Sequence, residues 1–222
     1  MPTLYLTGSS GALAAAVREH YLAEGWSVAG FDRASDGFQH DGFRFYKTDA
    51  LQENNIESNF AQAASDLGTP RALVATVGGV KAWTSVSDMS LDDFRFLVDL
   101  NLVSFFLAAK YAMRIMKNEG TITSIGAEPA LEPSAKKGGY VAAKAGVMAL
   151  TRVLAEEGKA IGINANSIVP TIIHTKSNEE WGSPEEIPKW TEPKDIAAMC
   201  YFLSSEVGKS VNGSVIRMPN RM

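Results

Sequence analysis

Cysteine is almost absent from this chain: its 222 residues include one, Cys200, so no internal disulfide can form. Histidine is nearly as scarce, and of the three, His20 and His40 have no Cys, His or carboxylate neighbours at metal-ligand spacing, which predicts no metal. There is no dense Lys/Arg block, and the formal net charge of -4 gives no electrostatic basis for holding nucleic acid or an anionic membrane. No apolar run approaches the roughly 20 residues of a membrane span. Nothing reads as a linker, a repeat or a leader before the first apolar segment, so the expectation is a single cytoplasmic domain over 1–222.

What is present is an alternation. Short apolar runs at 3–7, 27–31, 43–46, 72–76, 121–125, 163–169 and 214–218 read as strands. Stretches of helical period at 11–24, 53–67, 91–117, 139–159 and 193–204 fall between them. Strands and helices in turn predict an α/β fold, a Rossmann-type doubly wound sheet of about seven mostly parallel strands with helices on both faces. The least regular segment, 171–191, carries Pro184, Pro188, Trp181 and Trp190 and is expected to be a loop able to cover a substrate.

The first strand runs into Thr7-Gly8-Ser9-Ser10-Gly11-Ala12-Leu13, and a helix follows at once. Glycines there let the main chain approach a pyrophosphate, which meets free N–H groups and the positive end of the helix dipole. Gly8, Ser10, Gly11 and Leu13 are the candidate contacts. Asp32 closes the second strand, where a carboxylate can accept hydrogen bonds from ribose hydroxyls and repel a 2'-phosphate. Arg33 beside it could instead bind such a phosphate, so NAD (as NADH) is preferred with NADP possible. Asp49, after the third strand, reads equally as an adenine contact or a turn residue. Near the middle of the chain, Tyr140 and Lys144 stand four residues apart, one face of a helix, where an ammonium would draw a phenol's pKa down from its usual ~10.

In this order the glycine turn, Asp32, the pair Gly78-Gly79, Asn101, Tyr140/Lys144 and Pro170 resemble the short-chain dehydrogenase/reductase family over essentially the whole length. The resemblance implies that Tyr140 is the general acid or base, that Lys144 holds the nicotinamide ribose, and that Asn101 helps hold a water leading from the lysine to solvent. It also implies cofactor contacts at Gly78, Gly79, Pro170 and Thr175. The departures are informative. The glycine turn is one residue short, Ala75-Thr76-Val77-Gly78-Gly79 replaces the usual Asn-Asn-Ala-Gly, and Pro170-Thr171 replaces Pro-Gly. Thirteen residues before Tyr140, where the family's catalytic serine belongs, stands Ala127. Ser124 lies three residues back, ~10 Å along an extended chain, too far to substitute.

Together these departures resemble one branch, the dihydropteridine reductases, which reduce quinonoid dihydropterins with NADH. Trp83 and Ala127 are then the candidate substrate contacts, with Trp83, aided by Trp181 or Trp190, stacking on a flat ring or else covering core or a subunit contact. His174 reads as a solvated loop residue in preference to a site residue. The rival readings are a reductase of another small alcohol or carbonyl compound, and a catalytically silent dinucleotide-binding module. Small residues on the helices at 91–117 and 139–159 fit a homodimer or homotetramer, which the resemblance also implies.

Overall fold

The computed structural model describes residues 1–81, 83–116 and 119–219. In chain order the elements are β1 (Thr3–Thr7), α1 (Ala12–Ala23), β2 (Ser27–Asp32), β3 (Phe43–Lys47), α2 (Glu53–Leu67) and β4 (Ala72–Ala75). There follow α3 (Leu91–Val98), α4 (Ser104–Ile115), β5 (Gly120–Ile125), α5 (Gly138–Gly158), β6 (Ile163–Pro170), the short α6 (Lys176–Glu179), α7 (Pro193–Ser204) and β7 (Val215–Met218). All seven strands pair in parallel in the order β3-β2-β1-β4-β5-β6-β7.

Alternation along the strands builds a core on each face. Leu4 and Leu6 of β1 join Val17, Tyr21, Trp26, Ile196 and Leu203 under α1 and α7. Tyr5, between them, points the other way into a cluster with Phe31, Phe60, Phe105, Tyr111 and Val147 under α2, α4 and α5. The strand order reverses between β1 and β4, and open α/β sheets take ligands in the crevice outside the carboxyl ends of strands at such a point.

One expected element differs in form. The helix expected over 91–117 is α3 and α4 joined by a π turn, Asp99–Val103, and it closes at Ile115; Lys117 lies outside the described residues. Asn101 explains the slip: its Nδ2 donates 2.9 Å to the Leu97 carbonyl, which an α-helix would reserve for the Asn101 N–H. By length and composition alone the stretch Leu91–Ile115 also passes as a bilayer-crossing helix, although half of its apolar 18-residue window is buried within the protein.

Candidate active site

The glycine turn forms at the carboxyl end of β1. Gly8 has φ +72°, and a Cβ there would stand 2.8 Å from Thr76 Oγ1 and 3.0 Å from the Val77 nitrogen, so any larger residue would be both strained and in collision. Thr76 locks the approach by donating a 2.8 Å bond to the Thr7 carbonyl. Gly11 caps α1 without a side-chain hydrogen bond, which leaves the first-turn N–H groups of that helix for an anion. A pyrophosphate therefore fits this turn on its own geometry.

Asp32 ties the turn to β2: its Oδ2 accepts the Ser10 N–H at 3.0 Å and its Oδ1 the Arg33 N–H at 2.7 Å. The Ser10 hydroxyl donates to the Ala34 carbonyl, so Ser10 orders the loop that follows β2. Leu13 packs against the core under α1 and α7. Asp49 takes the turn role, accepting the Leu51 N–H at 3.0 Å.

Across the crevice, the segment after β4 is held by Asn101. Its Oδ1 accepts the Gly79 N–H at 3.0 Å while its Nδ2 donates 2.9 Å bonds to the Gly79 and Leu97 carbonyls. Both amide hydrogens are thus committed to main chain, and this side chain clamps the Gly78-Gly79 segment. A Cβ on Gly78 would lie 2.8 Å from Asn101 Oδ1 and 3.1 Å from Lys144 Nζ, which places all three residues at one point.

Tyr140 and Lys144 stand in the first two turns of α5, as the spacing predicts. Lys144, 5% exposed, donates a 2.8 Å bond from Nζ to the Ile125 carbonyl at the end of β5. Burial lowers its pKa to about 8. The half-buried Tyr140 shows the reverse of the expected shift: burial pushes its phenol up to about 12 instead of the lysine drawing it down. At neutral pH the phenol is therefore held protonated, a state suited to giving a proton.

Ala127 is buried two residues past the end of β5, where Ile125 accepts the Lys144 bond. Ser124 is fully buried and shares a 2.8 Å hydrogen bond with Thr151 of α5, so its hydroxyl is engaged in the helix–sheet packing. The next residue, Glu128, places its Oε1 against Arg217 of β7 while its Oε2 is buried without a hydrogen-bond partner among the described residues. An orphaned acceptor costs roughly 1–3 kcal/mol in a folded protein.

Trp83 is 55% exposed, with the Lys137 ammonium 4.4 Å from its ring centre, which sets it beside the start of α5. Trp190 is a correction to the stacking idea: it is 4% exposed and packs under Trp181, ring centres 5.2 Å apart. It anchors the 171–191 loop and is not presented to a ligand. Thr175 caps α6 by accepting the Asn178 N–H, and Pro170 ends β6 opposite Met218. His174 is a second correction. It is held, not free, with Nδ1 2.7 Å from Glu192 and Nε2 2.6 Å from Glu179. The carboxylates of Glu192 and then Glu179 raise its pKa. Sequence reasoning missed Glu128, Glu179 and Glu192, which sit in no motif, and also Thr76, although it lies in the segment leading to Gly78-Gly79. Among the described residues, no group of three or more His, Cys, Asp and Glu side chains gathers as a metal site.

Comparison with known proteins gives a consistent context. A family model described as enoyl-(acyl carrier protein) reductase matches residues 8–218. The chain is 29% identical to an acetoacetyl-CoA reductase of Paracoccus denitrificans, covering 97% of this chain and 95% of that protein. It is 27% identical to a D-beta-hydroxybutyrate dehydrogenase of Cupriavidus necator, with the same two coverages. Among solved structures, a short-chain dehydrogenase/reductase described as glucose/ribitol dehydrogenase from Brucella melitensis superposes with a TM-score of 0.90 at 24% identity, covering 98% of this chain and 95% of that one.

Proposed function

Since the chain belongs to the short-chain dehydrogenase/reductase family, we propose that it is an NADH-dependent reductase of a flat, electron-poor heterocycle of the quinonoid dihydropterin type, with Tyr140 as the proton donor. The bound nicotinamide supplies the hydride. Gly8, Gly11 and the open first turn of α1 would hold the pyrophosphate, and Lys144, packed against Gly78, would orient the nicotinamide ribose. Asp32 at the end of β2, where a carboxylate accepts ribose hydroxyls and repels a 2'-phosphate, supports NAD over NADP.

The observation that carries the reading is Ala127. An isolated carbonyl gains its charge on one oxygen, and losing one fixed donor to such an oxygen costs ~2.7–4 kcal/mol in the transition state. The hydroxyl of Ser124, three residues back on β5, is bonded to Thr151. A quinonoid ring spreads incoming charge over several heteroatoms, so the absent donor costs it less. Tyr140, kept protonated by burial, delivers the proton that completes the reduction, and Lys144 stands one helical turn on to orient ribose and phenol. Phe106 and Val153, exposed on α4 and α5, support pairing of these helices across a two-fold axis in a homodimer.

Replacing Tyr140 by Phe tests the assignment. Single-turnover hydride transfer is expected to fall by ~10²–10⁴ with NADH affinity little changed; an unchanged rate and pH profile would contradict the acid role. A second reading, reduction of a small keto acid derivative, is favoured by the names of the acetoacetyl-CoA reductase and hydroxybutyrate dehydrogenase relatives.

A further inference from the structure

Glu128 directly follows Ala127 and opens a 3₁₀ turn, Glu128–Ala130, closed when the Leu131 and Glu132 N–H groups donate to its carbonyl at 2.9 and 3.0 Å. From this turn its side chain reaches Arg217, whose register partner is Val169 on β6. Glu128 therefore crosses the carboxyl end of β6, one residue before Pro170, where the loop covering 171–191 begins. The far end of that loop returns to the same place, because Thr191 Oγ1 donates a 3.1 Å bond to the Met218 carbonyl. The carboxylate thus stands between Ala127 and both ends of the substrate loop.

Its bonding is lopsided. Arg217 gives the same nitrogen, Nη2, to Glu128 Oε1 and, at 2.8 Å, to Glu132 Oε1, so the forked, two-bond pairing open to an arginine and a carboxylate is not made. Two carboxylates share one guanidinium, which leaves the cluster one unit negative. The remaining Glu128 oxygen, Oε2, is buried with no partner among the described residues, while 15% of the side chain's surface is exposed. A buried acceptor that the fold leaves unsatisfied is matched when a ligand brings a donor.

We propose that Glu128 is a specificity-determining residue whose Oε2 accepts a hydrogen bond from an N–H of the acceptor, so that the site selects heterocycles presenting an amino-lactam edge over ketones that present none. This rests on the reading of the substrate as a nitrogen heterocycle and names the edge by which it is held. Arg217 holds the carboxylate through Oε1 with a nitrogen that Glu132 shares, so Oε2 receives no donor from the guanidinium.

The test is Glu128→Gln, with Glu128→Asp as a second variant that keeps the charge opposite Arg217 but draws it back by one methylene. With quinonoid dihydropterin, both are expected to raise KM by roughly 10- to 100-fold, the size of a lost hydrogen bond to a charged group, with kcat within about threefold and KM for NADH unchanged. An unchanged KM for the pterin in a folded variant, or an equal loss of NADH affinity, would overturn the proposal. Failure of the wild type to reduce the pterin would sink the substrate reading instead, and equilibrium binding then decides the role of Glu128. The probes are 6-methylpterin and its 2-dimethylamino-3-methyl derivative, which lacks the N–H donors of that edge. A wild-type preference for 6-methylpterin that shrinks at least tenfold in Glu128→Gln supports the role; no preference, or one that the substitution leaves intact, refutes it.

Discussion

Lys144 Nζ donates a 2.8 Å hydrogen bond to the carbonyl oxygen of Ile125, tying α5, which also carries Tyr140, to the last residue of β5. The bond fixes the amine beside Gly78, where a Cβ would approach Nζ to 3.1 Å and Asn101 Oδ1 to 2.8 Å. Gly78→Ala is therefore expected to displace the amine or the clamped loop by a few tenths of an ångström. Misplacement of this size lowers kcat by at least tenfold, because positioned groups lose their advantage quickly with distance. Thermal unfolding should move by only a few degrees, since Gly78 itself is exposed. Wild-type kinetics in Gly78→Ala would show that the close approach has no functional weight.

Burial of Lys144 has a consequence for stability against pH. Its pKa is lowered from an ordinary 10.5 to about 8, so between these values the unfolded chain binds the proton that the folded protein has released. Stability from this group therefore rises with pH across that window, and below about 8 its burial cost is constant. Burial pushes Cys200 and Tyr140 up to about 12, which works in the opposite direction, so the measurement is a difference. Wild-type stability minus that of Lys144→Met, from urea unfolding, should increase by on the order of 1–3 kcal/mol between pH 8 and 10.5. A flat difference would mean that Lys144 titrates as an ordinary lysine.

The fold was largely legible because strand and helix alternate with clean periods, and Tyr140/Lys144 was legible because four residues make one helical turn. The π turn was not, since it arises from the Asn101 amide taking the Leu97 carbonyl and the Gly79 main chain, partners that no local period announces. Glu128 and Arg217 meet from 89 positions apart, and Trp190 is buried by the chance of its neighbours Trp181 and His174. The expected lowering of the Tyr140 pKa failed for a related reason: sequence spacing gives the neighbour's charge but not the burial, which acts the other way on both groups.

The loop covering 171–191 should respond to pH through His174. Glu192 and Glu179 take both ring nitrogens, an arrangement that needs the imidazolium, and Trp190 packs beside the ring. The folded pKa is raised above 6.5, so the stabilisation is fully present below that value and is lost as pH rises through the folded one. Hydrogen exchange of the peptide spanning 175–190, corrected for intrinsic rates, should show protection falling from pH 6 to 8.5. In His174→Gln it should be low and flat. Protection independent of pH in the wild type would contradict the latch.

The proposed preference for the pterin depends on Ala127 matching a delocalised acceptor, and NADH oxidation by the wild type and by Ala127→Ser measures this directly, with quinonoid dihydropterin set against acetoacetyl-CoA and simple ketones. The wild type is predicted to prefer the pterin by at least tenfold in kcat/KM, and the restored hydroxyl to raise ketone reduction by ~10-fold or more with little effect on the pterin. Ketone reduction exceeding pterin reduction in the wild type would contradict the assignment and point to the chemistry of the keto-reducing relatives.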